Sequence, residues 1–141
     1  MSRPIFLAFV VLSQLCAAAA SAHTCEGVDL AITTVKVKSV STSGNVNHYT
    51  IEGTVANLGT TAQLGNILQF VDISQYGRKL DARGIQPLAP GQSADFTYVW
   101  PRSTDAGTGT SQLDFKLDMR PPIPSGQQEC NTANDHYSLT L

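Results

Sequence analysis

Apolar and polar residues alternate along most of this chain, and the pattern is cleanest across residues 88–100, a turn followed by a strand. Pro90 presets a turn dihedral and Gly91 tolerates positive φ. After them Ala94, Phe96, Tyr98 and Trp100 share one face, and Ser93, Asp95 and Thr97 share the other, the period-2 signature of a half-buried β-strand. The single Trp closes that run, so the heaviest apolar side chain is expected in the core.

The same alternation predicts further strands. In 29–40 Leu30 and Ile32 have one parity and Val35 and Val37 the other, so Thr33 and Thr34 mark a bulge or a switch between sheets. Residues 41–47 read as a polar connection containing Gly44. A strand over 48–57 places Tyr49, Ile51 and Val55 inward and His48, Thr50, Glu52 and Thr54 outward. Stretch 64–76 has apolar residues of both parities. It fits a central strand covered on both faces, a local irregularity near Phe70 and Val71, or an exposed apolar patch used for binding. Gly77 and Arg78 suggest a tight turn into a strand over 79–85 with Leu80 and Ala82 inward. Residues 101–110 read as a surface loop, being rich in Pro, Asp and Gly.

Toward the end, Leu113, Phe115, Leu117 and Met119 alternate strictly with Gln112, Asp114, Lys116 and Asp118. Pro121, Pro122 and Pro124 stop that strand. A last strand over 135–141 turns Tyr137, Leu139 and Leu141 inward and His136, Ser138 and Thr140 outward. No segment keeps a 3.6-residue period. About seven short strands with turn signals between them predict an all-β, antiparallel two-sheet sandwich with no second domain.

The first residues stand apart from this pattern. Residues 1–22 read as a secretory signal peptide: Arg3 is the positive start, residues 5–15 a short apolar run, and Ala20-Ser21-Ala22 a small-residue cleavage site. That run is too short to span a bilayer, and no later stretch reaches the ~20 apolar residues required, so residues 23–141 are expected to form a mature domain without a membrane span. The expected location is the periplasm or the exterior. A leader ending in Leu15-Cys16 is a poor lipoprotein signal, because a bulky Leu precedes the cysteine. The formal net charge is −2 and becomes one unit more negative when Arg3 leaves. Lys and Arg are scattered without a basic stripe, which argues against nucleic acid as a partner.

With Cys16 in the leader, Cys25 and Cys130 are the only cysteines of the mature chain, and an exported pair is expected to form a disulfide. Closing a loop of ~100 residues is worth about 4–5 kcal/mol at most in the chain-entropy picture. A zinc site would need more thiolates or a nearby His.

Three runs together resemble the CARDB family, the cell-adhesion-related immunoglobulin-like domain of bacteria and archaea. They are Ile51-Glu52-Gly53-Thr54-Val55-Ala56-Asn57-Leu58-Gly59-Thr60, then Leu88-Ala89-Pro90-Gly91-Gln92-Ser93 with 96–100, then Glu129-Cys130-Asn131-Thr132-Ala133-Asn134-Asp135 before the final strand. The resemblance covers most of the mature chain and implies an immunoglobulin-like sandwich and a non-catalytic module acting through protein or glycan contacts. Its motifs are short and structural. Asn57-Leu58-Gly59 is expected to end a strand with unusual dihedrals, and Asn131 and Asn134 to cap turns.

The search for chemistry is correspondingly thin. Gly91-Gln92-Ser93-Ala94-Asp95 lacks the second Gly of a nucleophile elbow and enters a strand rather than a helix. No Walker loop, HExxH or CxxC occurs. No catalytic, cofactor-binding or metal-ligating residue is assigned, and the chain is read as a non-enzyme. Two minority readings concern metals. Calcium would draw on Asp118, Glu129 and Asp135 with nearby Asn oxygens, although their spacing matches no known calcium loop. Copper would be bound by His23, the first residue after cleavage, through its amine and imidazole, with His48 or His136 as a further ligand. The candidate contact surfaces are stretch 64–76 and the loops at 101–110 and 121–128.

Overall fold

The computed structural model describes residues 25–107 and 109–141. The expected leader, with Cys16, and the expected mature terminus at His23 lie outside the described residues. Among the described residues seven strands are formed: β1 (Leu30–Ser43), β2 (Val46–Asn57), β3 (Leu68–Gln75), β4 (Arg78–Ile85), β5 (Ser93–Ser103), β6 (Gln112–Arg120) and β7 (His136–Thr140). They pair antiparallel in two sheets, one ordered β1-β2-β5 and the other β4-β3-β6-β7. This is the antiparallel two-sheet sandwich that the alternation predicts, in the immunoglobulin-like form that the resemblance implies.

The inward parities of the two sheets meet in one core. Ile51, Val55, Phe96, Tyr98 and Trp100 come from one sheet and Val71, Ile73, Leu113, Phe115 and Leu117 from the other. Phe96 and Phe115 touch across the interface, their ring centroids 5.9 Å apart. Gly53 lies opposite Phe96 in the β2–β5 register, and a Cβ there would fall 2.3 Å from the Phe96 ring. Only glycine lets that ring lie flat on the strand. Trp100 is buried and packs on Tyr49, as its place in the alternation predicts.

The phase change in β1 is a bulge. The β1–β2 register slips between Ile32 and Thr34 and again between Val37 and Ser39, and β1 stays beside β2 throughout. The first slip returns Val35 to the core side, whereas after the second Val40 is exposed. Residues 41–47 are not the loose connection expected, because pairing continues to Ser43↔Val46 around Gly44. Likewise β5 runs through Pro101 to Ser103, and the loop begins at Thr104. Proline is tolerated there because β5 is a sheet edge.

Two inward assignments are corrected. In β4, Asp81 pairs with Ile73 and Arg83 with Val71, so the charged residues, not Leu80 and Ala82, share the core parity. A register shift after Ile73 displaces Leu80, which is 36% exposed. β4 is an edge strand, and inward charge discourages edge-to-edge pairing. Arg83 pairs with Asp81 at 2.6 Å and lies over the Tyr98 ring. The β3–β4 turn sits one residue earlier than expected, at Tyr76 and Gly77, both with positive φ.

The two-parity stretch 64–76 is not covered on both faces. Val71 and Ile73 point inward together with Gln69, whereas Leu68 is 63% exposed and Phe70 lies under the Arg120 guanidinium. Among the described residues no helix is long and apolar enough to cross a membrane.

Candidate functional site

One end of the sandwich gathers the β2–β3, β4–β5 and β6–β7 connections and the segment before β1. Backbone polar groups in such connections must find partners, and two sets of buried side chains serve them.

The first set is amides. Asn57 Oδ1 accepts from the Asp29 and Gly59 N–H groups, and its Nδ2 donates to the Thr61 and Leu88 carbonyls at 2.9 and 3.0 Å. Gln63 and Gln69 exchange bonds of 2.6 and 3.0 Å, Leu88 N–H donates to Gln63 Oε1, and Gln69 Nε2 reaches the Gln86 carbonyl. Gln127 accepts from Leu64 N–H and donates to the Ala62 carbonyl. Gly59 lacks the positive φ expected of it, and its role is close approach: a Cβ would lie 2.2 Å from the Gly27 carbonyl.

The second set is acids. Val28 bridges Glu129 in parallel, Cys130 N–H donates to the Val28 carbonyl, and Leu30 N–H donates to Glu129 Oε1 at 2.6 Å. The structure joins Cys25 to Cys130 in a disulfide, with Cα atoms 5.9 Å apart. Asp29 is buried and accepts from Asn134 Nδ2 at 2.9 Å. Asp135 precedes β7 with the inward parity of Tyr137 and is 8% exposed. Its carboxyl faces that of Glu129. Burial pushes Glu129 up to about 8, helped by the neighbouring Asp135 charge, and burial also raises Asp135. The two therefore share a proton near neutral pH.

Unlike the amides of the first set, the acid group with its Asn134 is incompletely partnered. Three buried side-chain atoms among the described residues lack a hydrogen-bond partner: Arg83 Nε, Asn134 Oδ1 and Asp135 Oδ1. Glu129 and Asp135 line an open cavity of about 510 Å³, walled by Met119 and Ile123 and flanked by Lys116 and Asp118.

The residues singled out from sequence are partly brought together here. Glu129 and Asp135 meet, while Asp118 stands at the rim and pairs with Arg120 at 2.5 Å. No three acidic, His or Cys side chains converge as a metal-binding group among the described residues. Asn131 caps a turn by accepting from Ala133 N–H, but Asn134 reaches Asp29 instead of capping. His48 and His136 do not meet. They point outward from different sheets, one paired with Pro101 and the other with Lys116.

On the outer face of β6 and β7, Asp114 collects Ser138 Oγ at 2.6 Å and His136 Nε2 at 3.5 Å. Those are the residue types of a hydrolytic triad, but both partners bind the carboxylate, so the imidazole does not activate the hydroxyl. The Ser138 bond chiefly lowers the Asp114 pKa, followed by that from Gln112.

Sequence reasoning missed Asp29, Gln63, Gln69 and Gln127. A signal existed for Gln69, which has the parity of Val71 and Ile73.

No family model matches the chain, and no curated protein matches it. Solved structures do. One is a domain of a Methanosarcina acetivorans protein provisionally described as a cell surface protein, 18% identical, with a TM-score of 0.54 over 81% of this chain and 90% of that one. Another is the CARDB domain of a Pyrococcus furiosus protein, solved in complex with di-metal ions, 18% identical, with a TM-score of 0.55 over 84% of this chain and 94% of that one. The sheet order, the buried alternation and these two likenesses agree: the chain has the CARDB-like immunoglobulin fold.

Proposed function

We propose that this chain is an exported, non-catalytic binding module that acts by contact with a protein partner at the cell surface or in the periplasm. The observation that carries the reading is the row of exposed leucines on and after the β2–β3 connection: Leu58, Leu64 and Leu68, with Leu64 and Leu68 exposed at 47% and 63%. Exposed apolar side chains grouped along one connection favour a macromolecular contact. They favour protein over glycan, because sugar platforms use open aromatic faces, whereas Trp100 is buried and the exposed Tyr76 stands at the β3–β4 turn, at the other end of β3 from Leu68. Export is supported by the apolar leader at 1–22, by the Cys25–Cys130 disulfide and by the likeness to a domain described as belonging to a cell surface protein.

The test uses the immobilised mature protein and the exported fraction of the cells that make it. Wild type is expected to retain a defined protein that the Leu64→Asp/Leu68→Asp variant releases, with both baits showing the same circular dichroism and unfolding midpoint. Equal retention by both baits, or retention by neither, counts against the reading.

A further inference from the structure

We propose that the cavity between β6 and the β6–β7 connection is a binding site for a single hard divalent cation of the Ca²⁺ class, held by Glu129 and Asp135. Buried carboxylates alone would not establish this. The independent observation is the Oδ1 atom of Asp135, which is fully buried, belongs to a side chain more than nine-tenths buried, and accepts no hydrogen bond. Buried polar atoms are nearly always partnered, so the orphan acceptor on Asp135, a residue that lines the cavity, marks a missing positive partner.

The surrounding charges do not supply one. Asp29 is buried on the N-terminal side and already takes the Asn134 amide. Asp118 at the rim is neutralised by Arg120, whose guanidinium also holds Asp72 at 2.9 Å. Lys116 lines the cavity and weakly favours Asp135 ionisation, yet forms no ion pair with it within 4.0 Å. His136, next in sequence, turns outward to Asp114.

The cavity's chemistry fits Ca²⁺ better than zinc or an organic ammonium ion. Ca²⁺ takes carboxylates together with neutral oxygens and water, whereas zinc wants thiolate or imidazole. The cavity offers the Glu129 and Asp135 carboxylates, the Thr132 hydroxyl and the Gln128 amide, with a third carboxylate, Asp118, held at the rim by Arg120, and no thiolate or imidazole ligand. Two carboxylates with neutral oxygens and water suffice for Ca²⁺ without a third acid. An ammonium ion would gain from an aromatic wall, and here the walls are Met119 and Ile123.

The experiment is calorimetric titration of the chelator-treated mature protein with CaCl₂, alongside thermal unfolding with and without the salt. The expected result is one Ca²⁺ per chain, with a dissociation constant on the order of 10⁻⁴–10⁻³ M as in extracellular modules, and a higher unfolding midpoint. Asp135→Asn is expected to weaken binding about tenfold or more, and Asp95→Asn, an exposed acid on the other sheet, to leave it unchanged. Glu129→Gln is the second variant, because its amide oxygen can still accept from Leu30 N–H and keep the fold. Absence of saturable binding up to ~10 mM, a range beyond extracellular affinities, overturns the proposal. So does unchanged binding in both Asp135→Asn and Glu129→Gln, or stabilisation by methylammonium chloride but not by CaCl₂.

Discussion

The amide set and the acid set lie at the same end of the sandwich and bind overlapping stretches of backbone, yet they solve the burial problem differently. Asn57 uses all four of its hydrogen-bonding positions on Asp29, Gly59, Thr61 and Leu88. Gln63 and Gln69 close a reciprocal pair. The acids instead face each other, and Asp135 keeps an oxygen with no donor. Neutral amides carry donors as well as acceptors, so they can saturate one another, whereas a carboxyl pair sharing one proton has a single donor among four oxygens. Completeness therefore marks the amides as scaffold, and incompleteness marks the acids as the place where something else fits.

The most severe break in this contrast is Asn57→Ala, which strands the Asp29 and Gly59 N–H groups and the Thr61 carbonyl, while the Leu88 carbonyl keeps the Gln63 N–H. It is expected to cost about 3–5 kcal/mol of unfolding free energy by urea titration. Gln69→Leu strands Gln63 Nε2 and the Gln86 carbonyl while keeping the volume, and about 2 kcal/mol should be lost in the same assay. A loss below ~0.5 kcal/mol for either variant, the level of an ordinary surface change, would contradict a structural role for the amides.

The acids should respond to pH in the opposite sense from ordinary carboxylates. Glu129 is raised from 4.5 to about 8, so between those values the folded chain holds a proton that the unfolded chain has lost. In chelator, stability is then full below the unfolded value and falls as pH rises toward about 8. Glu129→Gln should flatten that decline, and an unchanged slope would remove Glu129 as its cause. The smallest effect belongs to the exposed Lys38–Glu52 pair at 3.2 Å, where Lys38→Met should shift stability by no more than about 0.5 kcal/mol. A larger shift would mean that surface charge rivals the buried groups.

Much of the scaffold was legible because alternation reports burial directly. Ala94, Phe96, Tyr98 and Trp100 in β5, and Leu113, Phe115 and Leu117 in β6, occupy the sides their parity predicts. Parity failed at β4, where an edge strand turns charge inward and the apolar Leu80 falls in a register shift. It was mute on Leu68, since an exposed leucine and one beneath a second layer look alike in sequence. The acid site was half legible. Glu129 and Asp135 stood out in the turn that resembles the CARDB pattern, but Asp29 is a hundred residues away from Glu129 and meets the group only through the fold. The glutamines were hidden because an inward polar residue becomes informative only when its partner is known.

The disulfide also decides how this molecule would carry a mechanical load. Cys25 lies at the braced end, and Leu141, bonded to Ser111, lies at the opposite end beyond β7. Tension between those two residues passes from Cys25 straight into Cys130, so everything between them sits in a covalent loop that no pull can extend. Only residues 131–141 are exposed to the force. Within them β7 is drawn along its own axis against β6, which loads its ladder in shear, with all the bonds strained at once rather than peeled singly.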